Sequence, residues 1–116
     1  MRTISAVVAG FALLAAVSAC RAGGTDAATV RAKIKAGALV VDVRTPAEFL
    51  AGAYPGATNI PLDQVEKRLA DFGDRKRAIV VYCRSGNRSG QAKVLLEKNG
   101  FSDVTNGGAF KDMPPR

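Results

Sequence analysis

The 116-residue sequence contains no histidine and only two cysteines, Cys20 and Cys83. Without histidine, Ser-His-Asp triads, Cys-His nucleophile pairs and histidine-ligated metal sites are excluded. Two cysteines cannot supply a thiolate zinc site within one chain, so we expect no catalytic metal. A nucleophilic cysteine in this chain has to be activated by the geometry of its loop and by positive charge.

The first residues contain an apolar run, but that run is too short to cross a membrane. Residues 1–19 have a charged start, an apolar core from Val7 to Val17 and a small-residue end, which is typical of an export signal. Val17-Ser18-Ala19-Cys20 resembles the lipobox of bacterial lipoproteins, in which the cysteine carries lipid. We therefore expect a periplasmic protein of the bacterial cell envelope, anchored to a membrane through Cys20. The alternative is ordinary cleavage after Ala19, which leaves Cys20 as a free thiol.

Positive charge exceeds negative charge, giving a formal net charge of +7. The basic residues are spread along the chain, and no basic patch interleaved with aromatic residues is present. We therefore expect no nucleic-acid partner and interpret the surplus as solvated surface together with an anion-attracting site.

The chain is predicted to contain a tether at residues 20–28 and one domain at residues 29–116. Helices are predicted at Ala28–Ala36, 46–51, 63–72 and 89–99, and strands at 38–43, 57–60, 78–82 and 104–105. Asn106-Gly107-Gly108 is predicted to be a turn. Strands that alternate with helices predict an α/β fold with a small parallel sheet flanked by helices. In such folds, ligands bind at the carboxyl ends of the strands.

Cys83 begins the segment Cys83-Arg84-Ser85-Gly86-Asn87-Arg88, called the cysteine loop below. This loop follows the apolar strand and precedes the predicted helix that begins at Ser89. Backbone N–H groups, a helix N-terminus and two arginines favour a thiolate at such a position. The alternative is a cysteine that packs as a small apolar residue.

Four separated segments resemble the single-domain rhodanese family of sulfurtransferases, and the small periplasmic members most of all. They are Asp42-Val43-Arg44 with Glu48-Phe49, residues 56–61, the cysteine loop through Gly90, and Asn106-Gly107-Gly108. The resemblance implies a rhodanese-like fold without a cofactor. It also implies a reaction in which sulfane sulfur passes from thiosulfate, or a similar donor, through a Cys83 persulfide to cyanide or a thiol.

Carried over by motif, Cys83 is the nucleophile and the N–H groups of the loop bind the transferred sulfur. The binding residues are Arg84, Ser85, Gly86, Asn87, Arg88 and Ser89. Arg84 either binds the anionic donor or is simply solvated, and Arg88 either binds the donor or braces the loop from behind. Asp42, Arg44 and Glu48 are expected to support the structure, through an ion pair or a backbone cap.

The length of the cysteine loop bears on two alternative functions. Four residues separate Cys83 from Arg88, whereas cysteine phosphatases that share this fold have five, which encircle a phosphate. The shorter loop suits a persulfide sulfur and disfavours a phosphatase or an arsenate reductase. A further alternative is a non-catalytic rhodanese-like module that binds sulfur and presents it to a partner.

Overall fold

A computed structural model describes residues 25–116 of the chain. The predicted signal segment and Cys20 lie outside these residues. The helices are α1 (Ala27–Lys35), α2 (Pro46–Ala51) and α3 (Asn87–Lys98). The strands are β1 (Leu39–Asp42), β2 (Thr58–Asn59), β3 (Ile79–Cys83) and β4 (Val104–Ala109). Three short 3-10 helices occupy Leu62–Gln64, Leu69–Phe72 and Phe110–Asp112.

The strands form one parallel sheet in the order β2-β1-β3-β4. Its two central strands are runs of mostly branched apolar residues, which suit a sheet buried on both faces. The α/β fold with a small parallel sheet flanked by helices is therefore confirmed.

Successive residues of β3 alternate between the two faces of the sheet. Val81 and Cys83 belong to the apolar cluster that contains Ala92 and Leu96 of α3. Val80 and Tyr82 belong to the opposite cluster, which contains Val30 and Ile34 of α1. This alternation is the period of two expected of a strand. Cys83 therefore lies on the α3 face, at the carboxyl end of a central strand.

The segment from Leu62 to Phe72 differs from the helix predicted for residues 63–72. It forms two 3-10 helices with i to i+3 backbone hydrogen bonds, and no side chain caps the first of them. Leu62 donates its N–H to the carbonyl of Val43, which ties the segment to the end of β1. A helix of about ten residues is marginal on its own, so these tertiary contacts decide its conformation.

Strand β4 is longer than predicted, because Asn106-Gly107-Gly108 continues the strand and does not form a turn. Val81 pairs with Asn106 and Tyr82 pairs with Gly108, so Gly107 is the extra residue of a β-bulge. A Cβ on Gly107 would lie 2.8 Å from the Met113 sulfur and 3.2 Å from the carbonyl oxygen of Val81. Any other residue would have to displace the Met113 side chain and crowd the Val81 carbonyl, which explains a glycine signal inside a strand.

Candidate active site

Cys83 ends β3 and is fully buried. The chain then turns sharply into α3 at Gly86, whose φ of 92° is in the left-handed region that glycine adopts without strain. This turn directs the N–H of Gly86 at the sulfur, with a nitrogen–sulfur distance of 2.9 Å. The Ser89 hydroxyl lies 3.4 Å from the same sulfur. The cysteine loop therefore surrounds the sulfur with hydrogen-bond donors.

The surroundings of Cys83 lower the pKa of its thiol. Burial has the largest single influence and raises the pKa, because it disfavours the charged thiolate. Hydrogen bonds from the Ser89 hydroxyl and from the backbone N–H groups of Ser89, Ser85 and Gly86 act in the opposite direction and together outweigh burial. The thiolate is thus stabilised by neutral hydrogen-bond donors that approach from the loop and the first turn of α3.

Asn106 was not identified as a site residue from the sequence, but it lies directly behind the cysteine loop. Its Nδ2 donates to the carbonyl of Gly86 at 3.2 Å, and its Oδ1 lies 2.7 Å from the Ser89 hydroxyl. Asn106 belongs to the motif Asn106-Gly107-Gly108, which the sequence analysis singled out. Because that motif was interpreted as a turn, Asn106 was not considered as a site residue.

Arg88 forms a bidentate ion pair with Glu48 of α2. Its Nη1 and Nη2 lie 2.7 and 3.0 Å from the two carboxylate oxygens. Of the two roles considered for Arg88, this geometry favours bracing of the loop. Arg88, and next the backbone N–H of Thr45, lower the pKa of Glu48 to about 2.

Thr45 and Glu48 form the capping box that the sequence predicts at the start of α2. The Thr45 hydroxyl accepts from the N–H of Glu48 at 3.3 Å, and the Glu48 carboxylate accepts from the N–H of Thr45 at 3.2 Å. Glu48 is therefore fixed by its own helix before it meets Arg88. The result is a rigid connection between α2 and the cysteine loop.

Asp42 and Arg44 pair with each other and not with Glu48. Asp42 is fully buried at the end of β1 and accepts from the N–H, Nε and Nη2 of Arg44 at 2.6 to 3.0 Å. The hydroxyl of Tyr82 donates to the same carboxylate at 2.8 Å. Arg44 also stacks over the ring of Phe110, 4.7 Å from its centroid. The pair is buried, and each of its fully buried side-chain polar atoms has a hydrogen-bond partner, which favours a structural role.

A cavity of about 790 Å³ opens at the carboxyl ends of the strands, next to the cysteine loop. Its lining is Arg44, Glu48, Ala51, Arg84, Ser85, Ala109, Phe110, Lys111 and Asp112. Within residues 25–116, Arg84 and Lys111 form no ion pair, whereas Arg44 and Glu48 are each paired. Asp112, also in the lining, forms no ion pair within residues 25–116 either, so the two cations exceed this one carboxylate and favour a small anionic ligand.

Two kinds of feature are absent from the described residues. Residues 25–116 contain no group of three or more metal-ligating side chains of the His, Cys, Asp and Glu types. No helix in this part of the chain is long and apolar enough to cross a membrane.

The comparisons with known proteins agree with the fold. The family model for the rhodanese-like domain matches residues 26–109, which is most of the chain. The protein therefore belongs to the rhodanese-like family, as the motifs predict.

Two sequence relatives carry sulfurtransferase names. The thiosulfate sulfurtransferase PspE of Escherichia coli is 40% identical over 74 residues, which cover 63% of this chain and 71% of PspE. A sulfurtransferase of Allochromatium vinosum is 41% identical over 68 residues, covering 59% of this chain and 63% of that protein.

Two solved structures resemble the fold. One is described as a rhodanese with anions from Escherichia coli; it has a TM-score of 0.63 and 40% identity, and the match covers 67% of this chain and 95% of that one. The human single-domain sulfurtransferase TSTD1 has a TM-score of 0.70 and 28% identity, covering 79% of this chain and 95% of that one.

Proposed function

We propose that this protein is a thiosulfate sulfurtransferase that works through a persulfide on Cys83. The observation that carries the proposal is the Gly86 N–H, 2.9 Å from the Cys83 sulfur, in a loop that lowers the pKa of the thiol. A thiolate held among N–H donors is a nucleophile whose product, a persulfide anion, needs the same donors.

The proposed reaction has two steps and no net oxidation. The Cys83 thiolate attacks the outer sulfur of thiosulfate, a new S–S bond forms, the S–S bond of thiosulfate breaks, and sulfite leaves with the electron pair. The terminal sulfur of the persulfide then passes to a nucleophile. Cyanide gives thiocyanate, a thiol gives its own persulfide, and Cys83 returns as a thiolate in both cases.

The donor site is proposed to combine the backbone N–H groups of residues 84–89 with the cations of the cavity. Arg84 and Lys111 line the cavity without an ion-pair partner in the described part of the chain. They are the side chains that suit the sulfonate end of thiosulfate, while Arg88 holds the loop against Glu48. No cofactor takes part in either step.

Intact mass tests this function directly. After incubation with thiosulfate and removal of the excess, the protein is expected to gain the mass of one sulfur at Cys83, and cyanide is expected to remove it. The Cys83→Ser variant is the matched control and should gain nothing, because a hydroxyl cannot carry sulfane sulfur. Binding of sulfur without transfer to any acceptor would favour a non-catalytic module.

The phosphatase alternative is tested on the same protein with an aryl phosphate. Ready hydrolysis together with no thiosulfate turnover would overturn the sulfurtransferase proposal. Insertion of one residue between Gly86 and Asn87 should weaken persulfide formation, because a misplaced donor in such a nest costs about 3 kcal/mol.

We also propose that the protein is anchored in the cell envelope through lipid on Cys20, with the residues between Cys20 and α1 as a tether; the tether predicted for residues 20–28 is too long by two residues, because α1 begins at Ala27. The support is the lipobox-like segment Val17-Ser18-Ala19-Cys20. The Cys20→Ser variant should then leave the membrane fraction for the soluble fraction. An unchanged, fully soluble wild-type protein would remove the anchor from this account.

A further inference from the structure

The Ser89 hydroxyl has one proton and three neighbours that can accept it. They are the Asn106 Oδ1 at 2.7 Å, the Gly86 carbonyl at 3.0 Å and the Cys83 sulfur at 3.4 Å. Because a hydroxyl donates only one hydrogen bond, these acceptors compete for it. Asn106 is the nearest of them.

The orientation of the Asn106 amide follows from its other contacts. The N–H of Gly108 donates to its Oδ1 at 2.9 Å, and its Nδ2 donates to the Gly86 carbonyl at 3.2 Å. A flipped amide would place donor against donor and acceptor against acceptor. The Asn106 oxygen is therefore fixed toward Ser89 as a hydrogen-bond acceptor.

The protonation state of Cys83 decides where the Ser89 proton goes. A Cys83 thiol donates to the Ser89 oxygen, so Ser89 is left to donate to Asn106. A thiolate has no hydrogen and only accepts, so Ser89 then directs its proton to the sulfur. In a persulfide the negative charge lies on the outer sulfur, and the proton is again available to Asn106. The change is a rotation of one hydroxyl, in which no covalent bond forms or breaks.

We propose that Asn106 is a positioning residue for sulfur transfer, which competes with the Cys83 sulfur for the Ser89 proton and draws that proton back once the persulfide has formed. The role in transfer rests on the proposed function, whereas the competition itself concerns the resting protein. Asn106 touches neither sulfur nor substrate in this scheme, and it acts through Ser89.

The first test is the rate of alkylation of Cys83 by iodoacetamide as a function of pH, read from the mass of the peptide that contains Cys83. Asn106→Leu removes the nearer of the two acceptors that compete with the sulfur and leaves the Gly86 carbonyl, so the thiolate is expected to increase roughly threefold at pH values below the midpoint, the size of a typical hydrogen-bond effect. Ser89→Ala removes the donor and should move the midpoint upward. In the Ser89→Ala background, Asn106→Leu should change nothing further.

A merely structural role for Asn106 predicts a different result. Loss of its bond to the Gly86 carbonyl would loosen the loop, and the midpoint would rise or stay constant whether or not Ser89 is present. That outcome overturns the proposal. Thr105→Val is the matched control, since Thr105 pairs with Val80 and lies on the opposite face of the sheet.

The charged groups on the elements around Cys83 do not change in these variants. They are the Asp42–Arg44 pair after β1, Glu48 of α2, Arg84 in the loop, Arg88 of α3, and Lys111 and Asp112 after β4. Differences between variants therefore arise from the hydrogen bonds of Asn106 and Ser89 and not from a change in these charges.

A second variant keeps the test decisive if Asn106→Leu does not fold. Asn106→Asp retains the acceptor and strengthens it with negative charge, so the alkylation midpoint should rise. The rise should be larger with Ser89 present than in Ser89→Ala. Equal rises in the two backgrounds would show simple charge repulsion and would overturn the proposal.

Persulfide formation from thiosulfate, followed by mass in a single turnover, separates the two proposals. The expected alkylation pattern without any persulfide in the wild-type protein would leave the competition standing and remove the sulfurtransferase function. Persulfide formation in the wild-type protein with no alkylation shift in Asn106→Leu would support the sulfurtransferase function and overturn the competition.

Discussion

The two central strands of the sheet end side by side, and each end holds a buried group that carries negative charge when ionised. At the end of β1, the Asp42 carboxylate is matched by the Arg44 guanidinium and the Tyr82 hydroxyl. At the end of β3, the Cys83 sulfur is matched by backbone N–H groups and the Ser89 hydroxyl. One anion is neutralised by a full opposite charge and the other by dipoles.

This difference separates support from chemistry. Both carboxylate oxygens of Asp42 already accept hydrogen bonds from Arg44 or Tyr82, so this buried carboxylate has little capacity left for a substrate. Dipoles stabilise the thiolate without enclosing it in a salt bridge, and they remain in place when the charge moves to an outer sulfur. We expect substitutions at the β1 end to reduce stability and substitutions at the β3 end to reduce activity.

Asp42→Asn should give the largest loss of stability. The amide cannot match Arg44 and leaves a buried cation without its partner, which costs about 3 kcal/mol. The free energy of unfolding, measured by urea denaturation, is expected to fall by that amount. A double variant that makes positions 42 and 44 both apolar should recover part of the loss. If Asp42→Asn and the wild type had the same midpoint of urea unfolding, the structural role of this pair would be contradicted.

Cys83→Ser tests the other end of the comparison. The serine hydroxyl keeps partners in Gly86 and Ser89, so the free energy of unfolding should change by only about 1 kcal/mol. Sulfur transfer from thiosulfate should nevertheless be lost. Urea denaturation and the mass assay on the same preparation check both halves. A loss of stability as large as that of Asp42→Asn would remove the distinction between the two ends.

Glu48→Gln should have a smaller effect that depends on pH. The pKa of Glu48 is lowered from 4.5 to about 2 by Arg88 and Thr45. Its stabilising effect is therefore complete above about 4.5 and is lost as the pH falls toward about 2. The variant should be less stable than the wild type at pH 7, by less than about 1 kcal/mol because the pair is partly exposed. The difference in stability between the variant and the wild type should shrink as the pH falls from about 4.5 toward about 2. A difference that stays constant over this range would contradict the stabilising role of the ionised Glu48.

Lys33→Ala should have the smallest effect on the free energy of unfolding, measured by urea denaturation. Lys33 pairs with Asp103 at 2.8 Å, but both side chains are 36% exposed. Such pairs contribute about 0.5 kcal/mol and are screened by salt. Lys35→Ala, in the same turn of α1, is the control for the loss of positive charge. A loss of stability as large as that of Asp42→Asn would show that exposure does not determine how much these ion pairs stabilise the protein.

Much of the fold was predictable because its signals are local. β1 and β3 are apolar runs, and α2 begins with the capping box of Thr45 and Glu48. The position of Cys83 follows directly from the strand that precedes it. The 3-10 segment near Val65 was not predictable, because its apolar spacing fits a helix equally well and tertiary contacts made the choice.

The candidate site was predictable in its nucleophile and less so in its hydrogen-bond partners. The Arg88–Glu48 pair joins residues 40 positions apart, and the Ser89–Asn106 bond joins residues 17 apart. No local pattern specifies such partners, since they depend on how α2, α3 and β4 meet at the end of the sheet. For Arg88 the sequence left two roles open, and for Asn106 it suggested a turn.

Gly107 has a consequence beyond the local bend that it makes. In a strand without an extra residue, Asn106 and Gly108 would lie on the same face, since they are two positions apart. The single unpaired residue shifts the alternation, so Asn106 pairs with Val81 on the face of α3 while Gly108 pairs with Tyr82 on the opposite face. One glycine thereby lets the chain place Asn106 against Ser89 and, directly after the strand, Phe110 against Arg44 in the lining of the cavity.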